Sequence, residues 1–162
     1  MPNSSYYIEL EKNHKRNTLM NMLDACFFQL GFVCFAPAVI IVAYFKHFTD
    51  NEIILNLPVF IANFLMAIMP LVMSFYSGRA KRKKRIVVIT GIWHRLLLVP
   101  IICVVCLLSD SKTWVIPAFL AAYVVFYIVW GTNLIFWQEM MGRSFIPEKF
   151  GSVMGIRESV SR

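Results

Sequence analysis

The sequence is poor in charge, and its middle third lacks acidic residues altogether. Only 15% of its 162 residues are Asp, Glu, Lys or Arg, about ten points fewer than a soluble domain carries. No Asp or Glu occurs between Glu52 and Asp110. A soluble fold of this length would have one core, and a chain that is 59% hydrophobic has more apolar surface than one core can hide. Cysteine is also scarce. Cys26, Cys34, Cys103 and Cys106 all fall in apolar stretches and lack the paired spacing of a ligand set, so they read as small hydrophobes in helices. The histidines and hydroxyls are scattered, with no nucleophile–base pair, nucleotide loop or metal cluster. No enzymatic activity, cofactor or metal is therefore expected. A cleavable signal peptide is not evident either: the first eighteen residues are polar and the first apolar run is too long for one.

What the chain has is long apolar runs between charged bookends, namely Ala25–Phe45, Ile53–Gly78, Ile86–Ser109 and Thr113–Gln138. Each exceeds the roughly 20 residues that a helix needs to cross about 30 Å of hydrocarbon. Buried helices of soluble proteins are typically about 8–20 residues long. The expected fold is an all-α membrane protein with four transmembrane helices at about 22–46, 53–78, 86–109 and 113–138. These form a bundle over 21–138, between an N-terminal segment 1–20 and a link 139–162.

Basic residues set the expected orientation. Lys12, Lys15 and Arg16 precede the first span; Arg79, Lys81, Arg82, Lys83, Lys84 and Arg85 fill the link after the second; Arg143, Lys149, Arg157 and Arg162 follow the fourth. The other two links hold only Lys46 and Lys112, beside Asp50, Glu52 and Asp110. Such a bias puts both termini and the middle link in the cytoplasm, in a cell membrane of bacterial inner-membrane type. The basic loop 79–85 is expected to anchor this topology and to meet anionic lipid headgroups at the cytoplasmic face. Because it lies between two spans, it does not point to a nucleic-acid partner.

Polar residues inside lipid are the candidates for function. In the second span Asn56, Phe60, Asn63, Ala67, Pro70, Ser74 and Ser77 recur at steps of four and three and form one stripe. Exposed amides are costly in lipid, so the stripe is expected to face protein or a water-filled path. Asp24, Gly31 and Ala38 share a face of the first span, with Gln29 on another. Tyr123, Tyr127, Trp130, Leu134 and Trp137 share a face of the fourth, whose cytoplasmic half gathers Gly131, Thr132, Asn133 and Gln138. Trp114 and Trp137 fit interfacial belts, and lipid contact is the expectation for Tyr123, Tyr127 and Trp130. Arg95 lies nine residues into the third span. Near the bilayer centre an arginine costs about 2.5–3.5 kcal/mol on insertion scales, so it snorkels or takes a partner. Asp24 and Glu139 are the carboxylates considered for gating or ion pairing with it. Gln29, Asn63, Arg95 and Asn133 are the substrate-path candidates. His94 is a weaker candidate.

Several stretches together resemble a known family. Asp24-Ala-Cys-Phe-Phe-Gln-Leu-Gly31 is similar to the opening of the first span in many bacterial members of the major facilitator superfamily. Lys84-Arg-Ile-Val-Val-Ile-Thr-Gly-Ile-Trp-His-Arg95 resembles a basic–apolar–Arg pattern in that family. Trp137-Gln-Glu-Met-Met-Gly-Arg-Ser-Phe-Ile-Pro-Glu-Lys-Phe-Gly-Ser-Val-Met-Gly-Ile-Arg157 looks like its link between spans four and five. The resemblance runs from about residue 20 to the end. Gly78 and the basic run match the first cytoplasmic motif without its Asp, so that residue's gating role does not carry over. Phe150 stands before Gly151 where the later motif has Arg.

The resemblance implies a partial major-facilitator-type N-terminal half, with spans one to four and the start of a fifth helix in 151–162. The expected function is that of a fragment of a secondary active transporter, inactive alone, whose partners are the bilayer and the C-terminal spans of its parent. The alternative is a complete four-span protein acting as an oligomeric small exporter or scaffold. A proton-coupled exporter would want a carboxylate deep in a span, whereas Asp24 and Glu139 lie at span ends.

Overall fold

In the computed structural model the described residues are 4–33, 37–80, 82–108, 111 and 113–161. Cys34, Lys81, Asp110, Lys112 and Arg162 lie outside them. Every regular element among the described residues is helical: α1 (Ser4–Val33), a π-helical turn (Pro37–Ile41), α2 (Val42–Lys46), α3 (Glu52–Ser77), α4 (Lys83–Leu96), α5 (Leu98–Leu107), α6 (Val115–Ser144) and α7 (Pro147–Ser161).

A proline has no N–H for the carbonyl four residues before it, and its ring crowds that carbonyl. Pro100 is four residues after Leu96, where the hydrogen-bond ladder of α4 gives way to that of α5, although Leu97 keeps a helical backbone (φ −68°, ψ −12°). Pro58 and Pro70, in contrast, are carried inside α3 without interruption. The first turn of α3 is capped by Asn51, whose side chain accepts from the Ile53 amide at 3.0 Å.

Three helical stretches are long and apolar enough to cross a membrane: Glu52–Ser77, Lys83–Leu107 and Val115–Ser144. Only 11%, 22% and 33% of their most apolar windows are buried, so most of this apolar surface needs lipid or further protein to cover it. Phe75 and Leu107, for instance, are 79% and 78% exposed. Of the first expected span, 22–46, residues 22–33 are in α1 and 37–46 in the π-helical turn and α2. The third is α4 and α5, joined through Leu97, whose backbone is helical. The fourth runs on as helix to Ser144, so the link read from residue 139 begins six residues later than its polar composition suggests. The N-terminal segment is helical from Ser4.

The chain forms two compact units, Met1–Phe35 with Gln138–Arg162, and Ala36–Trp137. In the first, α1 and α7 run parallel: Lys149 lies 3.7 Å from Glu11, and Arg157 donates to Asn21. Ala25, Phe145 and Val153 are its buried apolar residues together with Met141. Side chains of α1 also terminate α6. Tyr6 donates to the Arg143 carbonyl and Asn17 to that of Ser144 (3.2 Å), two carbonyls a helix end leaves without an internal partner.

In the second unit α6 touches α2, α3 and α4 in turn. The Phe119 ring lies 5.2 Å from Phe45, edge to face, and 5.6 Å from Tyr123. Tyr123 and Tyr127 are 0% and 2% exposed, with their hydroxyls 3.2 Å apart. This corrects the expectation of lipid contact for these two. Phe119, Tyr123, Phe126 and Tyr127 share one face of α6 at helical spacing, and the aromatic packing that results covers their polar ends as well.

Candidate functional site

The α3–α6 contact depends on a glycine. A Cβ on Gly131 would lie 2.6 Å from Met69 Cβ and 3.4 Å from the Leu65 carbonyl oxygen, so the helices meet closely there. Leu65 and Met69 fall on the same helical face as the buried Pro58 and Ala62. The polar stripe of α3 is on roughly the opposite side. Asn56, Phe60, Asn63, Ala67 and Ser74 are exposed, Pro70 is half-buried, and Ser77 alone is buried. In this unit, then, the stripe faces away from α6, and Asn63 does not join the α4–α6 contact.

The α4–α6 contact gathers polar groups. The Thr90 hydroxyl lies 2.8 Å from Asn133 Oδ1 and also 2.8 Å from the Ile86 carbonyl. One turn further along α4, the His94 ring sits 4.4 Å from Phe126 and 5.8 Å from Trp130. As the residue numbers rise on α4 they fall on α6, as an antiparallel pair requires. Between these contacts is Gly91, which is buried. The site where its Cβ would be is 3.5 Å from Arg95 Nη1 and 3.9 Å from Asn133 Nδ2. Arg95 Nη1 also donates to the Gly91 carbonyl at 3.2 Å. A Cβ at 91 would be in ordinary contact with both groups, so the guanidinium and the amide converge beside Gly91.

The location of this cluster sets it apart from ordinary interhelical packing. Arg95 has twelve residues of the Lys83–Leu107 stretch on either side. Arg95 and His94 are the basic residues of α4's last turn. Pro100 leaves the Leu96 carbonyl without its helical donor. A hydroxyl, an amide and a guanidinium therefore lie close together midway along a membrane-length stretch. Arg95 is exposed, and Thr90 and Asn133 are half-buried.

The remaining sequence candidates include Gln29 and Glu139 of the first unit, half-buried on α1 and on α6. Asp24 is exposed and pairs within its own unit with Arg157, at 3.6 Å. Arg157 also donates to Asn21 Oδ1, and Asn21 is buried. In the basic loop Arg79, Arg82, Lys84 and Arg85 are exposed and Lys83 is half-buried. The sequence reading passed over Thr90, Gly91, Asn21 and Arg157 as site residues. The one signal available for the first two was their position four residues before His94 and Arg95.

Comparison with protein families, with curated proteins and with solved structures finds no match.

Proposed function

We propose that this chain is part of a secondary active transporter and that a small solute passes the α4–α6 cluster during alternating access. The observation that carries this reading is Arg95 midway along a membrane-length helical stretch, beside a Leu96 carbonyl that Pro100 leaves without its helical donor. Free backbone groups at membrane depth are tolerated only where protein or water covers them.

In the reading taken from the family resemblance, the chain is the N-terminal portion of a major facilitator superfamily member, inactive alone. The stretch 22–46 is then span one, α3 is span two, α4 with α5 is span three, and α6 is span four. The start of α7 leads into span five. Spans one and five of an up-and-down chain are parallel, and the parallel course of α1 and α7 agrees with this. Both termini and the basic loop 79–85 then lie in the cytoplasm of a cell membrane, with the loop against anionic headgroups.

A second reading, a complete four-span protein acting as an oligomer, draws on the α3 stripe. Asn56 and Asn63 face away from α6, and a second copy could cover them, just as further spans of a longer transporter would. Cross-linking in mild detergent separates the two, since a defined dimer favours the oligomer.

The transporter reading is tested in the full-length parent, by comparing the solutes accumulated by cells that express it with those accumulated by cells that express its Arg95→Leu variant. At equal membrane abundance, at least one small solute is expected to depend on Arg95. Identical profiles contradict a role for Arg95 in transport.

A further inference from the structure

The outward face of α4 is charged at its start and apolar for the rest of its length. We infer that it holds a phospholipid whose headgroup carries two phosphates, with the phosphates on Arg82 and Arg85 and an acyl chain along Ile89, Ile92 and Leu96. This goes beyond the transporter reading and requires only that α4 lies in a membrane.

The stripe follows from helical spacing. Arg85, Ile89, Ile92 and Leu96 recur at steps of four, three and four, so they share one face of α4. All four are exposed. They lie opposite the buried Val87 and Gly91, and opposite the Thr90 and His94 side chains that meet α6. From Arg85 to Leu96 the helix rises about 16 Å, which matches the roughly 15 Å that one leaflet contributes to the hydrocarbon core. An acyl chain whose headgroup sits at Arg85 therefore ends near Leu96.

Charge sets the headgroup. Arg79, Arg82, Lys84 and Arg85 are exposed within seven positions, and no Asp or Glu occurs between Glu52 and Asp110 to neutralise them. None of the four forms an ion pair among the described residues. The first turn of α4 has no acidic residue, and Arg82 at its N-cap makes no side-chain cap. Basic side chains thus gather where the helix dipole is already positive, a cost that an anion removes. Arginine meets phosphate through paired N–H groups. A lipid with one phosphate satisfies one guanidinium and leaves its neighbour facing like charge. With two phosphates on one headgroup, the second binds at high effective concentration once the first is held.

The test uses the full chain in a neutral detergent and counts bound lipid by native mass spectrometry. Tetraoleoyl cardiolipin, dioleoyl phosphatidylglycerol and dioleoyl phosphatidylcholine are offered in turn at equal phosphate concentration. Saturable binding of cardiolipin is expected, about fivefold or more tighter than that of either other lipid. The double variant Arg82→Gln/Arg85→Gln should lose this preference. Lys12→Gln/Lys15→Gln removes the same charge from the first unit and should keep it. Excess inorganic pyrophosphate should not displace the lipid, since it has no chains to cover Ile89, Ile92 and Leu96. Helix content by circular dichroism confirms that each variant is folded. The inference is overturned if phosphatidylglycerol or phosphatidylcholine binds as tightly as cardiolipin, or if pyrophosphate displaces the lipid. It is overturned equally if folded Arg82→Gln/Arg85→Gln keeps the preference or Lys12→Gln/Lys15→Gln loses it. None of these outcomes reads solute transport, so failure here is distinct from failure of the transporter reading.

Discussion

Thr90 on α4 and Asn133 on α6 bring a hydroxyl and an amide oxygen to 2.8 Å, and this contact fixes the register of the two helices around Gly91. Side-chain hydrogen bonds between membrane helices contribute modestly, on average about 0.6 kcal/mol. A double-mutant cycle with Thr90→Ala and Asn133→Ala is therefore expected to give a coupling of about 0.5–1.5 kcal/mol by unfolding in mixed micelles. Additive effects would show that the pair does not hold the helices in register.

Gly131 is expected to tolerate no side chain. In Gly131→Ala the new methyl would lie 2.6 Å from Met69 Cβ, which is close to the backbone and cannot swing aside. Overpacking of this kind costs about 1–3 kcal/mol. Met69→Ala keeps the offending Cβ and should not rescue the variant, whereas Met69→Gly should. Thermal unfolding in detergent distinguishes the two.

These contacts also show how far the sequence could be read. Apolar run length located α3, α4 with α5, and α6, because the requirement for about 20 apolar residues acts on composition alone. The interrupted hydrogen-bond ladder after Leu96 follows from a rule of local sequence, yet Pro58 and Pro70 obey the same chemistry inside an uninterrupted α3. Which proline interrupts a helix depends on neighbours that one sequence does not identify. Periodicity found the stripe of Asn56, Asn63 and Ser74 but not its direction, since its two sides differ only in what they meet. Tyr123 and Tyr127 went to the wrong environment for a related reason: an aromatic residue suits a lipid boundary and a packed interior alike. Of the site, Arg95 and Asn133 were visible as polar residues in apolar runs. Thr90 was hidden, because a threonine bonded to its own helix, here to Ile86, is ordinary.

Pro100 is predicted to interrupt the hydrogen-bond ladder between α4 and α5. Pro100→Ala restores an N–H for the Leu96 carbonyl, and a proline in a helix interior costs about 3 kcal/mol or more. A higher unfolding midpoint is expected, along with reduced accumulation of whichever solute depends on Arg95. An unchanged midpoint would mean that the interruption has another cause.

In the first unit, Asn21 should matter more than Asp24 although both meet Arg157. Asp24 is largely exposed and 3.6 Å from the guanidinium, so Asp24→Asn is expected to cost less than about 1 kcal/mol. Asn21 is buried and accepts a charge-assisted hydrogen bond from Arg157, so Asn21→Ala should cost about 1.5–3 kcal/mol. Chemical denaturation of the two variants gives the order directly.

The most direct test of the central claim, that the helical stretch carrying Arg95 borders a water-accessible path, is a single-cysteine scan. It runs along Lys83–Leu107 and at Asn133, in a chain whose Cys26, Cys34, Cys103 and Cys106 are replaced by alanine. The reagent is a small hydrophilic thiol label applied to intact membranes. Reaction is predicted at Thr90, Arg95 and Asn133, with the exposed Ile89, Leu96 and Leu107, on another face of the stretch, protected by lipid. Protection at Thr90, Arg95 and Asn133, or equal reaction along the whole stretch, would contradict it.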